Sequence, residues 1–386
     1  MDISRFTQQS PGQIVHASQA NLGDYDAFIP EQPPPEITPT STLMAKYGDA
    51  SAALQEVSVL GRFLPNPDLL IVPYMRKEAE LSSRIEGTQT TLADLYLFEM
   101  DQPVEAPGDD VREVMNHVTA LNHGLKSKLP ISIRLVSELH SLLLHSVRGK
   151  DERPGEFRRS QAYIAPTRQT PIREATYVPP PPHEIDKLMA QWEKFANSEN
   201  ENVASLPLMR TAIAHYFFEA IHPFGDGNGR LGRLLIILML QRLGLLQTPM
   251  LYLSAYFERH REEYYARLQS ISERGEWDAW LLFFMDGIVV QCRDAVDRSY
   301  QILDLMKDYR LRLSGVRSER LLRLLNLVFE RPYLRTSDIA SQLGVSPQSA
   351  INYTKHFIKI GILRELTGHY SHRLYRADEL WQLLKD

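Results

Sequence analysis

Apolar residues recur at helical spacing through most of this chain. From Thr42 to Leu64, the positions Leu43, Met44, Tyr47, Ala50, Leu54, Val57 and Leu60 follow the rhythm of a helix or two, ended by Pro65 and Pro67. A shorter helix is predicted from Val72 to Gly87, with Pro73 in its first turn and glycine at its close. Val111 to Leu125 and Val136 to Val147 are the clearest periodic blocks of the next stretch. Two more, Leu206 to Ile221 and Leu231 to Leu243, flank a glycine-rich interval, and Trp277 to Tyr309 reads as one long amphipathic helix. Ala162 to Ala165 and Ala175 to Val178 favour strands and predict a small hairpin before the Pro179 to Pro182 stop. Residues 1–41 show no period, broken by Gly12, Gly23 and Pro33 to Pro35, and read as an irregular arm. The fold class is mainly α.

Composition changes this picture little. With 386 residues, two or three domains are expected. A hydrophobic share of 43%, a charged share of 24% and a net charge of −5 describe an ordinary soluble protein rather than a generally basic binder. The single cysteine, Cys292, excludes an internal disulfide and a cysteine-rich zinc site, and it suits a reducing cytoplasm. The N-terminus lacks a signal-peptide core, and the most apolar run, Leu234 to Leu240, is far too short for a membrane span. A cytoplasmic protein with no membrane partner is expected. His117, His123, His140 and His145 show no metal-ligand spacing beyond the loose His140/His145 pair, and read as surface or satisfied core histidines.

The chemistry is concentrated in the interval His222-Pro-Phe-Gly-Asp-Gly-Asn-Gly-Arg230, followed by Arg233. Gly225, Gly227 and Gly229 free the backbone so that N–H groups can converge on an anion at the start of the next helix. Arg230 and Arg233 add forked cations suited to phosphate oxygens. Asp226 is out of place in an anion site unless it holds a divalent cation, and Mg²⁺ bound by one carboxylate plus phosphates fits. His222 is the side chain suited to general-base work near neutral pH. A tight helix–helix turn with a capping Asn and a buried His is the bland alternative.

These residues resemble the Fic signature H-x-F-x-[DE]-G-N-G-R-x-x-R, matched at His222, Phe224, Asp226, Gly227, Asn228, Gly229, Arg230 and Arg233. The resemblance, which covers about Thr42 to Arg310, implies a helical catalytic domain that moves AMP from ATP to a protein hydroxyl and releases pyrophosphate. His222 would be the base and Asp226 the Mg²⁺ ligand. Gly225, Gly227, Asn228, Gly229 and Arg230 would cradle phosphates, and Arg233 would bind the γ-phosphate. Tyr264 and Tyr265 would line the adenine pocket, and Gln161, Ala162, Tyr163 and Ile164 would belong to a flap that docks the target by strand addition. Ser82, Glu86 and Gly87 match the [ST]-x-x-x-E-[GN] pattern by which Fic proteins inhibit themselves. Glu86 would pair with Arg233 and exclude the γ-phosphate, which places the chain in the N-terminally inhibited class. The domains implied are the arm (1–41), an N-terminal helical region (42–110) with the inhibitory helix at about 72–88, the catalytic domain (111–310) and a tail (316–386).

The tail differs in character. Between 316 and 376 ten Lys/Arg face four acids. The order is helix (Arg320 to Phe329), a Thr336 to Pro347 stretch, helix (Gln348 to Ile360) and two β-like runs to Tyr375, and it resembles a winged helix-turn-helix. Gln348, Ser349, Asn352 and Lys355 would face a DNA major groove and Arg373 would sit on the wing; dimerisation or protein docking is the other use of such a module. The expected partners are a target protein with a hydroxyl side chain, the chain itself as a self-modification substrate, a second copy in a homodimer, and DNA. Hydrolytic removal of AMP, phosphate or phosphocholine transfer, and a DNA-binding regulator that senses nucleotide are the competing functions.

Overall fold

The structure, a computed structural model, describes all residues except 20–21, 34, 64–67, 101–107, 148–152, 168, 199–203, 205, 315–317, 367–372 and 386. The first correction lies at the N-terminus, where the expected irregular arm forms an antiparallel hairpin of β1 (Gly12–Gln19) and β2 (Gly23–Pro30). β2 buries Tyr25, Ala27 and Phe28, and the Phe28 N–H donates to the Val178 carbonyl at 2.9 Å. The hairpin is thus held by the body of the molecule. A pairing of this kind leaves little local signal, because β1 never becomes fully buried on either face.

The helices follow the predicted rhythm closely: α1 (Ser41–Phe63), α2 (Asp68–Ile85), α3 (Leu92–Glu99), α4 (Gly108–Lys126) and α5 (Ile133–Leu143). Thr91 and Asp94 form a reciprocal capping box that starts α3, and Ser132 caps α5. α2 begins a turn earlier than expected, so Pro73 lies inside it rather than in its first turn. Beyond its end, Gly87 takes φ +97°, a conformation that side chains resist. The predicted hairpin of 162–165 with 175–178 is reduced to a single bridge, Ile164 with Tyr177. Pro166 and Pro179 flank the two runs and cannot donate to a longer ladder.

After α6 (Ile185–Ala196) come α7 (Pro207–Ile221) and α8 (Asn228–Arg242). Both are buried on nearly every face, as expected of central helices, and they pack on each other. α8 starts three residues before the predicted Leu231, so the end of the glycine-rich interval is already helical. α9 (Ser254–Arg259), α10 (Arg261–Arg274) and the long α11 (Trp277–Arg312) complete the body, with α11 against α1 and α7.

The tail comprises α12 (Glu319–Glu330), β3 (Tyr333–Arg335), α13 (Thr336–Leu343), α14 (Pro347–Lys359), β4 (Arg364–Glu365), β5 (Leu374–Arg376) and α15 (Asp378–Lys385). Its strands form one antiparallel sheet in the order β3-β5-β4. The tail rests on α2 and α3. Tyr96 stacks on Tyr333 with ring centroids 5.8 Å apart and meets Trp381 edge-on at 6.1 Å. The Arg76 guanidinium lies 4.6 Å over Tyr96 and binds both oxygens of Glu99 at 2.7 and 2.8 Å. Arg335 donates to the Met100 carbonyl at 2.7 Å. Because Tyr96 is buried among these groups, Tyr96→Ala should cost about 3–5 kcal/mol of stability, read by chemical denaturation. A loss below about 1 kcal/mol would mean that the junction carries little of the fold.

Candidate active site

The site is built where α7 ends and α8 begins. His222 closes α7 in a left-handed conformation, φ 50° and ψ 61°, which a non-glycine residue holds only when its surroundings insist. Asn228 then folds the loop on itself. Its Oδ1 accepts from the Phe224 N–H at 3.0 Å and its Nδ2 donates to the Phe224 carbonyl at 2.8 Å. His140 braces the same loop from below, with its ring 3.8 Å from that of Phe224 and nearly parallel to it. The Gly155 N–H donates to its Nδ1 at 2.8 Å, so Nε2 carries the proton and donates to the Asp226 carbonyl at 3.0 Å. His140 is thus a satisfied core histidine, and what it satisfies is the loop.

Gly227 takes φ +80° and hands the chain to α8, whose first-turn N–H groups at Asn228 to Arg230 have no acceptor within the helix. This is an anion cradle made by backbone. Arg230 donates to Glu113 of α4 at 2.9 Å and lies 3.6 Å from Asp226. Arg233 is almost wholly buried. Its Nε donates to Ser82 Oγ at 3.0 Å, and one terminal nitrogen reaches the Ser82 carbonyl at 2.8 Å and Glu86 Oε1 at 2.7 Å. A Cβ on Gly229 would run into the Glu86 carboxylate, so the absent side chain is what lets Glu86 approach. Burial pushes the Glu86 carboxyl up, but Arg233 outweighs it, helped by Arg230 and His222, and holds it below the usual range.

These groups line a cavity of about 520 Å³, a size that suits a nucleotide. Glu86, His222, Gly229 and Arg233 form one end. Tyr265, Leu268, Gln269 and Ser272 of α10 also line the cavity, and Tyr163 with the exposed Ile164 forms its lip. His222 is driven down to about 4, first by burial and then by the nearby Arg158 guanidinium, partly offset by the Glu219 backbone, Glu86 and Asp226. It is therefore neutral at pH 7, the form that can accept a proton. Glu219, one turn before it, also lines the cavity, and burial raises its carboxyl to about 8, leaving it mostly protonated at that pH.

Several expected residues stand elsewhere. Tyr265 faces the cavity, but Tyr264 turns into the core, where its hydroxyl meets His215 Nε2 at 2.8 Å and its ring stacks on Phe257. The Asn228 side chain serves the loop rather than a phosphate. Gln161 is buried, with its Nε2 on the Pro179 and Ala162 carbonyls, so among the flap residues only Tyr163 and Ile164 reach the cavity. Glu113, Arg158, Glu219 and Gln269 were not anticipated, because nothing in local spacing marks an acid on α4 or an arginine in an irregular segment as neighbours of the loop. Asp226 is about half exposed, with Oδ1 accepting from the Gly227 N–H at 2.6 Å. Among the described residues no group of three or more metal-ligating side chains converges. That donor set fits Mg²⁺ held by one carboxylate and chiefly by a nucleotide's phosphates. No helix of the described residues is long and apolar enough to cross a membrane.

A mainly helical body with this loop between two buried helices defines a class, and comparison with known proteins identifies it. The model described as "Fic/DOC family N-terminal" matches residues 44–126 and that of the "Fic/DOC family" matches 130–240, together just over half of the chain. The chain belongs to the Fic/DOC family. It is similar to "Protein adenylyltransferase Fic" of Drosophila melanogaster, 34% identical over 165 residues, which are 42% of this chain and 31% of the relative. The Drosophila grimshawi protein of that name is 33% identical over 207 residues, 52% of this chain and 39% of the relative. The chain thus spans about a third of the length of these relatives. Among solved structures, a Fic family protein from Desulfovibrio desulfuricans G20 matches 89% of this chain and 98% of its own, at 21% identity and TM-score 0.60. Fic-1 of C. elegans matches 68% and 74%, at 21% and 0.53. At these identities the likeness is one of fold.

Asn228→Ala removes both bonds to Phe224 from a buried site. It should cost about 2–3 kcal/mol, seen as a lowered melting temperature; an unchanged melting curve would show that the loop holds its shape without the clasp.

Proposed function

We propose that the chain transfers AMP from ATP to a hydroxyl side chain of a protein, with its own Glu86 as the brake. The observation that carries this reading is the Glu86–Arg233 pair inside the same cavity as a neutral His222. His222 would take the proton of a Ser, Thr or Tyr hydroxyl as its oxygen attacks the α-phosphorus. The bond from that phosphorus to the bridging oxygen breaks, and pyrophosphate leaves. The α8 N-terminus, Gly227, Gly229 and Arg230 would receive the phosphates, and Tyr265 with Leu268 and Gln269 would border the base. Mg²⁺ at Asp226 would supply charge neutralisation of the phosphates when bound. Tyr163 and Ile164 at the lip would lie along the target, and the chain itself would be a further substrate. The name borne by the Drosophila relatives supports the reaction, and the match of Ser82, Glu86 and Gly87 to the inhibitory pattern supports the brake.

The brake follows from geometry. Arg233 gives its Nε to Ser82 and one terminal nitrogen to Ser82 and Glu86, while the other terminal nitrogen is buried without a partner, so a γ-phosphate can take the nitrogen that Glu86 holds only after Glu86 leaves. With Mg²⁺ and ATP labelled at the α-phosphate, Glu86→Gly should incorporate label well above wild type, and Glu86→Gly with His222→Ala should incorporate none. Label surviving in the double variant would remove His222 as the base, and a Glu86→Gly no faster than wild type would remove the brake.

The lowered pKa of His222 gives a pH signature. Because the ring stays neutral down to about 4, transfer by Glu86→Gly should hold steady as pH falls through 6.5 and drop only near 4 to 5. A half-maximum at about 6.5 would mean an unperturbed imidazole.

For the tail we propose a winged helix-turn-helix that binds duplex DNA through α14. Gln348, Asn352 and Lys355 are exposed on that helix and Ser349 is half-exposed, while Arg373 lies 3.6 Å from Glu365 beside β5. Binding by the full chain should weaken as salt rises, and Lys355→Ala should reduce the slope by about one ion. Binding with no salt dependence, or a slope untouched by Lys355→Ala, would count against DNA on α14.

A further inference from the structure

Arg158 is a buried guanidinium, each of whose three nitrogens donates to a backbone carbonyl. Its Nε donates to the His222 carbonyl at 2.8 Å, and its terminal nitrogens to Ser160 at 3.1 Å and Pro180 at 2.5 Å. Its own N–H donates to the Pro223 carbonyl at 2.9 Å. Among the described residues it has no carboxylate partner, and burial lowers it to about 10, which still leaves it charged at neutral pH. Its three side-chain acceptors come from three places: the residue that carries the imidazole, and the two ends of the segment that forms the cavity lip. Ser160 immediately precedes Gln161 to Ala165, and Pro180 follows Thr176 to Val178. Between those ends, Ile164 and Tyr177 bridge, and Tyr163 and Ile164 line the cavity.

We propose that Arg158 is a positioning residue that fixes the His222 imidazole relative to the lip on which a target hydroxyl is presented. This rests on the transfer reading above. His222 holds a positive φ that a side chain disfavours, and Arg158 binds the carbonyl of that same residue. The same planar fork holds both ends of the lip, so base and lip cannot move independently. A lysine keeps the charge but presents one nitrogen, which cannot span three carbonyls held in a fork. Proton transfer depends steeply on the distance between base and hydroxyl, whereas ATP would be held by the α8 N-terminus, Arg230 and the α10 side chains, to none of which Arg158 bonds.

The charge acts on the ring as well. Around His222 stand Arg158 from the 153–180 segment, Glu86 from the turn after α2, Asp226 from the loop and the Glu219 backbone from α7; of these only Arg158 disfavours protonation.

The test uses the full chain carrying Glu86→Gly, with Arg158→Lys and Arg158→Met added separately. Turnover of AMP incorporation, ATP affinity by calorimetry and the ring titration of His222 by NMR are read for each. Both variants should lose about tenfold to hundredfold in kcat with ATP affinity essentially kept. The His222 titration should stay low in Arg158→Lys and rise from about 4 in Arg158→Met, remaining below the free imidazole value because burial, the larger cause, is unchanged. A Lys variant with the parent's kcat, or one whose ATP affinity falls in step with its rate, overturns the proposal. An Arg158→Met that fails to fold leaves the decision to Arg158→Lys. If the Glu86→Gly parent itself incorporates no AMP, the transfer reading fails. The clamp is then judged by the titration alone, and an unmoved His222 in Arg158→Met overturns it.

Discussion

One buried guanidinium organises this site. Arg233 is almost completely enclosed, and a cation in that position needs anionic or carbonyl partners at all times. Ser82 in the last turn of α2 and Glu86 just beyond its end supply them, with the turn out of the helix completed by a left-handed Gly87. The net stabilisation from such a pair is small, but removing one partner without a substitute is costly. The group best able to replace a carboxylate on this fork is another planar or tetrahedral oxyanion. Brake and substrate are then alternatives for one set of donors, and the position of α2 becomes a functional coordinate. The tail packs beside that coordinate, with α12 against α2, Tyr333 and Trp381 on Tyr96 of α3, and Arg335 on the Met100 carbonyl just beyond it.

The loop shows the complementary constraint. An imidazole that works as a base at neutral pH must be neutral and must point into the cavity. Here burial and one neighbouring cation secure the first, and a left-handed backbone secures the second. Both are maintained from outside the motif: by Arg158 on the His222 carbonyl, by His140 stacked on Phe224, and by Glu113 on Arg230. The nine residues from His222 to Arg230 are therefore only part of the catalytic unit.

What could be read from the sequence was whatever is encoded locally. Gly227 acts through backbone freedom and the arginines through their one-turn spacing on a helix, whereas Gly229 is helical and matters through the missing side chain that admits Glu86. Long-range pairing was not legible. β1 never becomes fully buried, so it carries no alternation strong enough to distinguish it from an irregular arm. Tyr264 and Tyr265 are adjacent on a helix and point about 100° apart, so only one can face the cavity. Asn228 and Gln161 were read as ligand contacts, yet buried backbone groups at Phe224 and Pro179 had prior need of their amides. Arg158 offered no pattern at all: its acceptors are 2, 22 and 64 residues away.

The competition for Arg233 is tested most directly by comparing ATP and ADP affinities, by calorimetry with Mg²⁺, for wild type and Glu86→Gly. If Glu86 occupies the place of the γ-phosphate, releasing it should tighten ATP by a clearly larger factor than ADP. Equal gains for the two nucleotides, or none for either, would contradict the competition and leave the Glu86–Arg233 pair a structural contact.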